Sequence, residues 1–232
     1  MNAPTPSPAA ARDGLFPKLR ARLISAVLLG AIAFAAVWIG YPWFDLLIAI
    51  GGTLALFEWF RLCRGWQRPF WVLLGTLYLA ATLVSLFWLR HEPEMGRETM
   101  LWLMGCVVAV DTGAYFAGRT IGGPKLVPLI SPQKTWAGLL GGAVSAGLVG
   151  LIAAMILHVN IFSLVIWSAL VAPVAQLGDI LESAVKRYFG VKDSGSIIPG
   201  HGGILDRIDG LMFAAIALAV LRLLSHDLSP WP

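Results

Sequence analysis

Seven long apolar runs dominate this chain, near Leu23 to Ile39, Trp43 to Phe60, Phe70 to Leu89, Met100 to Ala117, Ala137 to Leu157, Ile161 to Leu177 and Leu205 to Leu224. Each approaches the roughly 20 residues an α-helix needs to cross the hydrocarbon core of a bilayer. Only 13% of the 232 residues are charged, against about a quarter in soluble domains, which excludes a water-soluble fold. A backbone in lipid must satisfy its own hydrogen bonds, and the runs lack the ten-residue alternation of barrel strands. The expected fold class is an all-α polytopic membrane protein, a bundle of about seven transmembrane helices.

The basic residues orient it. With the amino terminus in the cytoplasm, 14 of the 17 Lys and Arg fall in inner segments, leaving Arg90, Arg97 and Arg222 outside, as the positive-inside rule requires. The same dispersal makes the net charge of +4 a matter of topology and argues against a nucleic-acid partner. Lys18, Arg20 and Arg22 before the first run, with Ala33-Phe34-Ala35 inside it, also suit a secretory leader; the charge distribution favours a retained span. Residues 1–21 are expected to be a disordered cytoplasmic tail and 22–98 a set of amino-terminal membrane helices. Residues 99–232 are read as the domain that carries the chemistry, with cytoplasmic loops 118–136 and 179–210. Cys63 and Cys106 lack metal-like spacing and read as packing residues. Gly138, Gly142, Ala146 and Gly150, four apart, form a close-approach face, used within the bundle or in a homodimer.

Polar residues gather in two stretches, from Asp111 to Gly138 and from Asp179 to Gly210. Asp111 lies deep in the fourth run, where a carboxylate faces a polar cavity or a partner by default. Glycines 113, 118, 122 and 123 let backbone approach an anion, and Lys125, Ser131, Lys134 and Thr135 supply charge and donors, so phosphate is the natural guest. In the second stretch Asp206 and Asp209 are three apart, on one face of a helix starting near Gly203. With Asp179 they make three carboxylates, a hard-oxygen set suited to magnesium and able to hold one or two cations. Metal-assisted phosphoryl or nucleotidyl transfer is the chemistry such a set fits. Glu182 and Asp193 read equally well as solvated partners of Lys186 and Lys192.

At these residues the chain resembles the phosphatidate cytidylyltransferase family, the CDP-diacylglycerol synthases. The likeness rests on Ser183, Lys186-Arg187, Lys192-Asp193, His201-Gly202-Gly203, Asp206-Arg207 and Asp209, and on Asp111 to Phe116, Gly118-Arg119 and Ser131 to Trp136 followed by Gly138. It departs from many members at Gln133, where they carry a basic residue, and at Ala137, where they carry a glutamate. The resemblance implies attack by the phosphate of phosphatidic acid on the α-phosphorus of CTP, releasing pyrophosphate. It places Asp179, Asp206 and Asp209 at Mg²⁺, with Lys186 and His201 beside them in catalysis. Asp111, Ser131, Lys134, Thr135, Ser183, Arg187, Lys192 and Arg207 are then expected to bind substrate. The implied location is the inner membrane, with the site facing the cytoplasm and membrane lipid supplying one substrate. Two alternatives stand beside this: CTP-dependent activation of a different lipid phosphate, and a transporter of an anionic solute.

Overall fold

The computed structural model describes residues 8–195, 197 and 202–224, with side chains from residue 24 onward. Among the described residues, seven α-helices carry the architecture: α1 (Pro8–Ile39), α2 (Trp43–Leu62), α3 (Pro69–His91), α4 (Gly96–Thr120), α5 (Trp136–Leu157), α6 (Ile161–Tyr188) and α7 (Leu205–Leu224). Helix α1 begins inside the stretch expected to be a tail. Five helices, α2 to α6, are long and apolar enough to cross a membrane. The apolar part of α1, Ile24–Ile39, is shorter, and α7 carries Asp206, Arg207, Asp209 and Arg222. In each of the five apolar windows only 22 to 39% of the residues are buried in protein. The exposed remainder, such as Leu73, Leu77 and Val84 on α3 or Leu140, Val144 and Leu148 on α5, is the surface a bilayer covers.

Local chemistry sets the helix boundaries. Thr135 caps α5, its hydroxyl accepting the Gly138 N–H at 3.0 Å, and Asn160 caps α6 by accepting from Ser163 N at 2.9 Å. Arg64 and Gly65 turn the chain with positive φ before Pro69 opens α3, where its missing N–H costs nothing. The all-α expectation needs one amendment. Between α4 and α5 a short antiparallel hairpin pairs β1 (Lys125–Val127) with β2 (Ser131–Thr135). Gly122 and Gly123, at φ of 70° and 95°, end α4, and Pro124 and Pro132 deny the segment a helix.

Helices α4, α5, α6 and α7 pack in chain order, α3 closes against α7, and α2 lies on α3. The small-residue face of α5 is used inside the bundle: Gly138 and Gly142 sit against Ala114 and Val110 of α4, and Gly150 against Leu164 and Ser168 of α6. Both cysteines are free and buried. One apolar core runs through α1 to α7 with Val37, Leu89, Met100, Leu103, Cys106 and Leu164 fully enclosed. A second, around Trp59, Cys63, Val72, Phe189, Leu205 and Met212, lies at the hairpin end and fixes α2 and α3 against the start of α7.

Candidate active site

Helix α6 runs to Tyr188, so Asp179, Glu182 and Lys186 lie on a helix, at i, i+3 and i+7 along one face. Asp179 and Glu182 point toward Asp209 on α7, and one oxygen from each of the three carboxylates lies within 4.8 Å of the others. Gly178 makes this juxtaposition feasible. A Cβ there would stand 2.6 Å from Phe213 Cβ and 2.8 Å from Asp209 O, so only glycine lets the two backbones come this close. Lys134, reaching from β2, forms an ion pair with Asp179 and donates to Gln176 O at 3.3 Å.

Glu182 is not the solvated partner the sequence suggested. It pairs with Lys186, but the two side chains are only 11% and 12% exposed, and Glu182 Oε1 is buried with no hydrogen-bond partner among the described residues. An orphaned buried carboxylate oxygen beside two further carboxylates fits a hard divalent cation.

The structure does not bring Asp206 into that group. Its Oδ1 accepts from Lys186 Nζ at 2.6 Å, and its Oδ2 accepts from Ser194 N at 2.9 Å, Ser194 Oγ at 3.0 Å and Gly203 N at 2.9 Å. The reason is position. Asp206 is in the first turn of α7, where a side chain can turn back to the free N–H groups of the preceding loop. Asp209 is one turn on and projects inward. Lys186 bridges the two settings, since it also pairs with Glu182.

Two cavities flank the acidic group. A polar one of about 550 Å³ is lined by Asp111, Arg119, Lys125, Ser131, Lys134 and Asp179, among others. An apolar one of about 260 Å³ is lined by Trp59, Trp71, Tyr78, Leu181, Phe213 and, at its polar edge, Glu182 and Lys186. Asp111 thus faces a polar cavity, with Lys134 and Arg207 the cations acting on it. Thr135 borders the same cavity, but its hydroxyl is the cap of α5. Ser183 is half-buried on α6, and Arg187, Lys192 and Arg207 are exposed; Arg187 donates to Val191 O at 3.2 Å. His201 lies outside the described residues. Two residues not anticipated are Glu58 of α2, whose carboxylate accepts the Leu205 N–H at 3.1 Å, and Tyr78 of α3, which adjoins Glu182 in the apolar cavity.

The fold and site together define a polytopic membrane protein with an acidic, cation-fitting centre between a polar and an apolar cavity. A family model described as the cytidylyltransferase family matches residues 65–224, and the chain belongs to that family. It is similar to the phosphatidate cytidylyltransferase of Brucella suis biovar 1, at 34% identity over 86% of this chain and 92% of the relative. It is also similar to those of Rickettsia conorii, at 36% over 87% and 90%, and Rickettsia prowazekii, at 37% over 84% and 87%.

Proposed function

We propose that the protein transfers the cytidylyl group of CTP to phosphatidate, giving CDP-diacylglycerol and pyrophosphate. The site would lie at the cytoplasmic face of a seven-span bundle whose amino terminus is inside. The relatives bear that activity in their names. The observation that carries the reading is the place of Asp179, Glu182 and Asp209, between a cavity rich in cationic side chains and an apolar one beside the lipid-facing surface.

A magnesium ion would be held by Asp179, Glu182 and Asp209, with Asp206 replaced by Glu182 in the set expected from sequence. When bound, it supplies positive charge against the triphosphate oxygens and the leaving pyrophosphate. The chain's own residues do the rest. Lys134, Lys125 and Arg119 face the polar cavity and offer cationic donors to a polyphosphate, with Ser131 beside them. Asp111 borders the same space, Arg207 is a cation acting on Asp111, and Arg207, Ser183, Arg187, Lys192 and His201 remain substrate-side or catalytic assignments of this reading. Lys186 stands at the polar edge of the apolar cavity, where the phosphate of a lipid with its tail in that cavity would lie.

The nucleophile is a phosphomonoester oxygen, already largely anionic at neutral pH because the second ionisation falls near pH 6. Its bond to the α-phosphorus forms as the bond from that phosphorus to the α,β-bridging oxygen breaks, and pyrophosphate leaves with the electron pair. No proton has to be removed, so the site's task is to hold two anions in line and offset their charge.

The test uses the full chain purified in detergent, with Mg²⁺, CTP labelled at the α-phosphate, and phosphatidate. Equal yields of labelled lipid and pyrophosphate are expected. Turnover with another lipid phosphate but not with phosphatidate would replace the acceptor, and absence of any CTP-dependent product would end the nucleotidyl-transfer reading.

A further inference from the structure

Glu58 is the least expected polar residue near the site. It sits on α2, ahead of the residues matched by the family model, and is only 2% exposed. Its Oε2 accepts the Leu205 N–H at 3.1 Å across 147 positions of sequence, and the Ser194 hydroxyl lies 3.5 Å away. Leu205 is the first residue of α7, whose leading N–H groups have no partner within the helix. A carboxylate there satisfies an orphan donor and meets the positive end of the helix dipole. The fit leaves no slack: a Cβ on Gly203 would stand 2.6 Å from Glu58 Oε2.

From that contact a continuous set of bonds reaches the acidic group. Ser194 Oγ lies between Glu58 and Asp206, at 3.5 Å and 3.0 Å. Asp206 holds Lys186 at 2.6 Å, and Lys186 pairs with Glu182, one of the three clustered carboxylates. Asp209 follows Leu205 by one helical turn, so whatever fixes the axial position and rotation of Leu205 fixes where the Asp209 side chain points. Glu58 lines a cavity of about 250 Å³ with Arg61, Arg64 and Asp193, distinct from the two that flank the acidic group.

We infer that Glu58 is a positioning residue: by clamping the first turn of α7 to α2 it sets the placement of Asp209 against Asp179 and Glu182, and hence the cation affinity of the site. This rests on the metal assignment proposed above. It gives α2 a role in the chemistry beyond crossing the membrane.

The experiment measures Mn²⁺ binding by electron paramagnetic resonance, without nucleotide or lipid, to the full chain in detergent. Amide hydrogen exchange across residues 204–210 is followed in parallel. For Glu58→Ala the Mn²⁺ dissociation constant is expected to rise about tenfold, the lower end of what losing a residue that supports metal ligands costs. Exchange at Leu205 should quicken while that of α4 and α5 is unchanged. A cap serving stability alone would lower the melting temperature yet leave Mn²⁺ affinity at the wild-type value, and that result overturns the inference. If Glu58→Ala fails to fold, Glu58→Gln replaces it. Gln keeps one acceptor for Leu205 N–H but not the charge, so a loss of about threefold is expected, given that charge-assisted bonds are roughly twice as strong as neutral ones, and wild-type affinity overturns the inference. Asp209→Asn is measured alongside. Should that variant retain Mn²⁺ binding, the metal assignment falls, and the exchange data decide the clamp: faster exchange at Leu205 in the Glu58 variant supports it, unchanged exchange overturns it.

Discussion

At one end of α7 the Arg222 side chain, 6% exposed, meets the Glu92 carboxylate just past the end of α3. At the other, Asp209 faces Asp179 and Glu182. Both hold charges that burial penalises, with Glu92 and Asp179 keeping 32% and 37% of their side chains exposed. The first is balanced, one cation to one anion, in a bundle end that also holds the Arg90 Nε bond to Val37 O at 2.8 Å. At the second, Lys134 pairs with Asp179 while Lys186 is shared between Glu182 and Asp206, so four carboxylates meet two lysines. Buried charge that is matched holds helices together. Buried charge of one sign left in excess, beside a cavity, is an arrangement that folding alone would not favour and that a cation would complete.

The comparison breaks most sharply at Asp209. Asp209→Asn keeps volume and removes one negative charge, and activity is expected to fall by about 10³-fold, roughly 4 kcal/mol of transition-state stabilisation at 1.36 kcal/mol per decade. Folding and insertion should be unaffected, since the excess charge that opposes packing is reduced. Equal activity in that variant, measured by CDP-lipid formation, would remove the functional reading of this end. The opposite pattern is expected at the matched end. Arg222→Met leaves Glu92, 32% exposed, without this cation, and a loss of about 2 kcal/mol in stability is expected, between the ranges for exposed and buried pairs, with activity per folded molecule kept. Adding Glu92→Gln should restore most of the stability. A thermal-unfolding series on single and double variants checks both halves.

Asp206→Asn tests the boundary between the two kinds of charge. Asp206 is saturated by Lys186, Ser194 and Gly203, so its loss should loosen Lys186 and the loop before α7. A decrease in turnover of about tenfold to a hundredfold is expected, as for residues that orient metal ligands, and less than for Asp209→Asn. Equal losses in the two variants would mean that Asp206 belongs with the cation after all.

How much of this could be read from the chain follows from what each inference needs. Apolar run length dictates the helices, and α2 to α5 and α7 come out within a few residues of the runs, while α6 continues past Leu177 to Tyr188. Asp179 and Asp209 were legible because carboxylates at the edge of apolar runs have few other uses. Asp206 and Asp209 could not be separated by spacing, since three residues apart puts both on one face. What distinguishes them is that the earlier one reaches back to Ser194 and Gly203, a loop geometry that composition does not encode. Glu182 was misread for a related reason: an i,i+4 pair with Lys186 looks the same in sequence whether solvated or buried, and its burial depends on the apolar cavity formed with α2 and α3. The hairpin of β1 and β2 is too short for periodicity to show. Glu58 has no local signal at all, because its partner is 147 residues away.

The smallest effect concerns the polar cavity, at Gln133. Gln133 is exposed and lines the cavity with Arg119, Lys125 and Lys134. A lysine there would add one more cation to the polar cavity, near where a polyphosphate would lie. Exposed ion pairs contribute about 0.2 to 1 kcal/mol, so Gln133→Lys should lower the KM for CTP by no more than about fivefold and leave kcat unchanged. The gain should fade as salt is raised, since screening shortens to about 3 Å at 1 M. A salt-independent change, or one in kcat, would mean that position 133 acts on the acidic group through Lys134 and Asp179 instead of on the incoming anion.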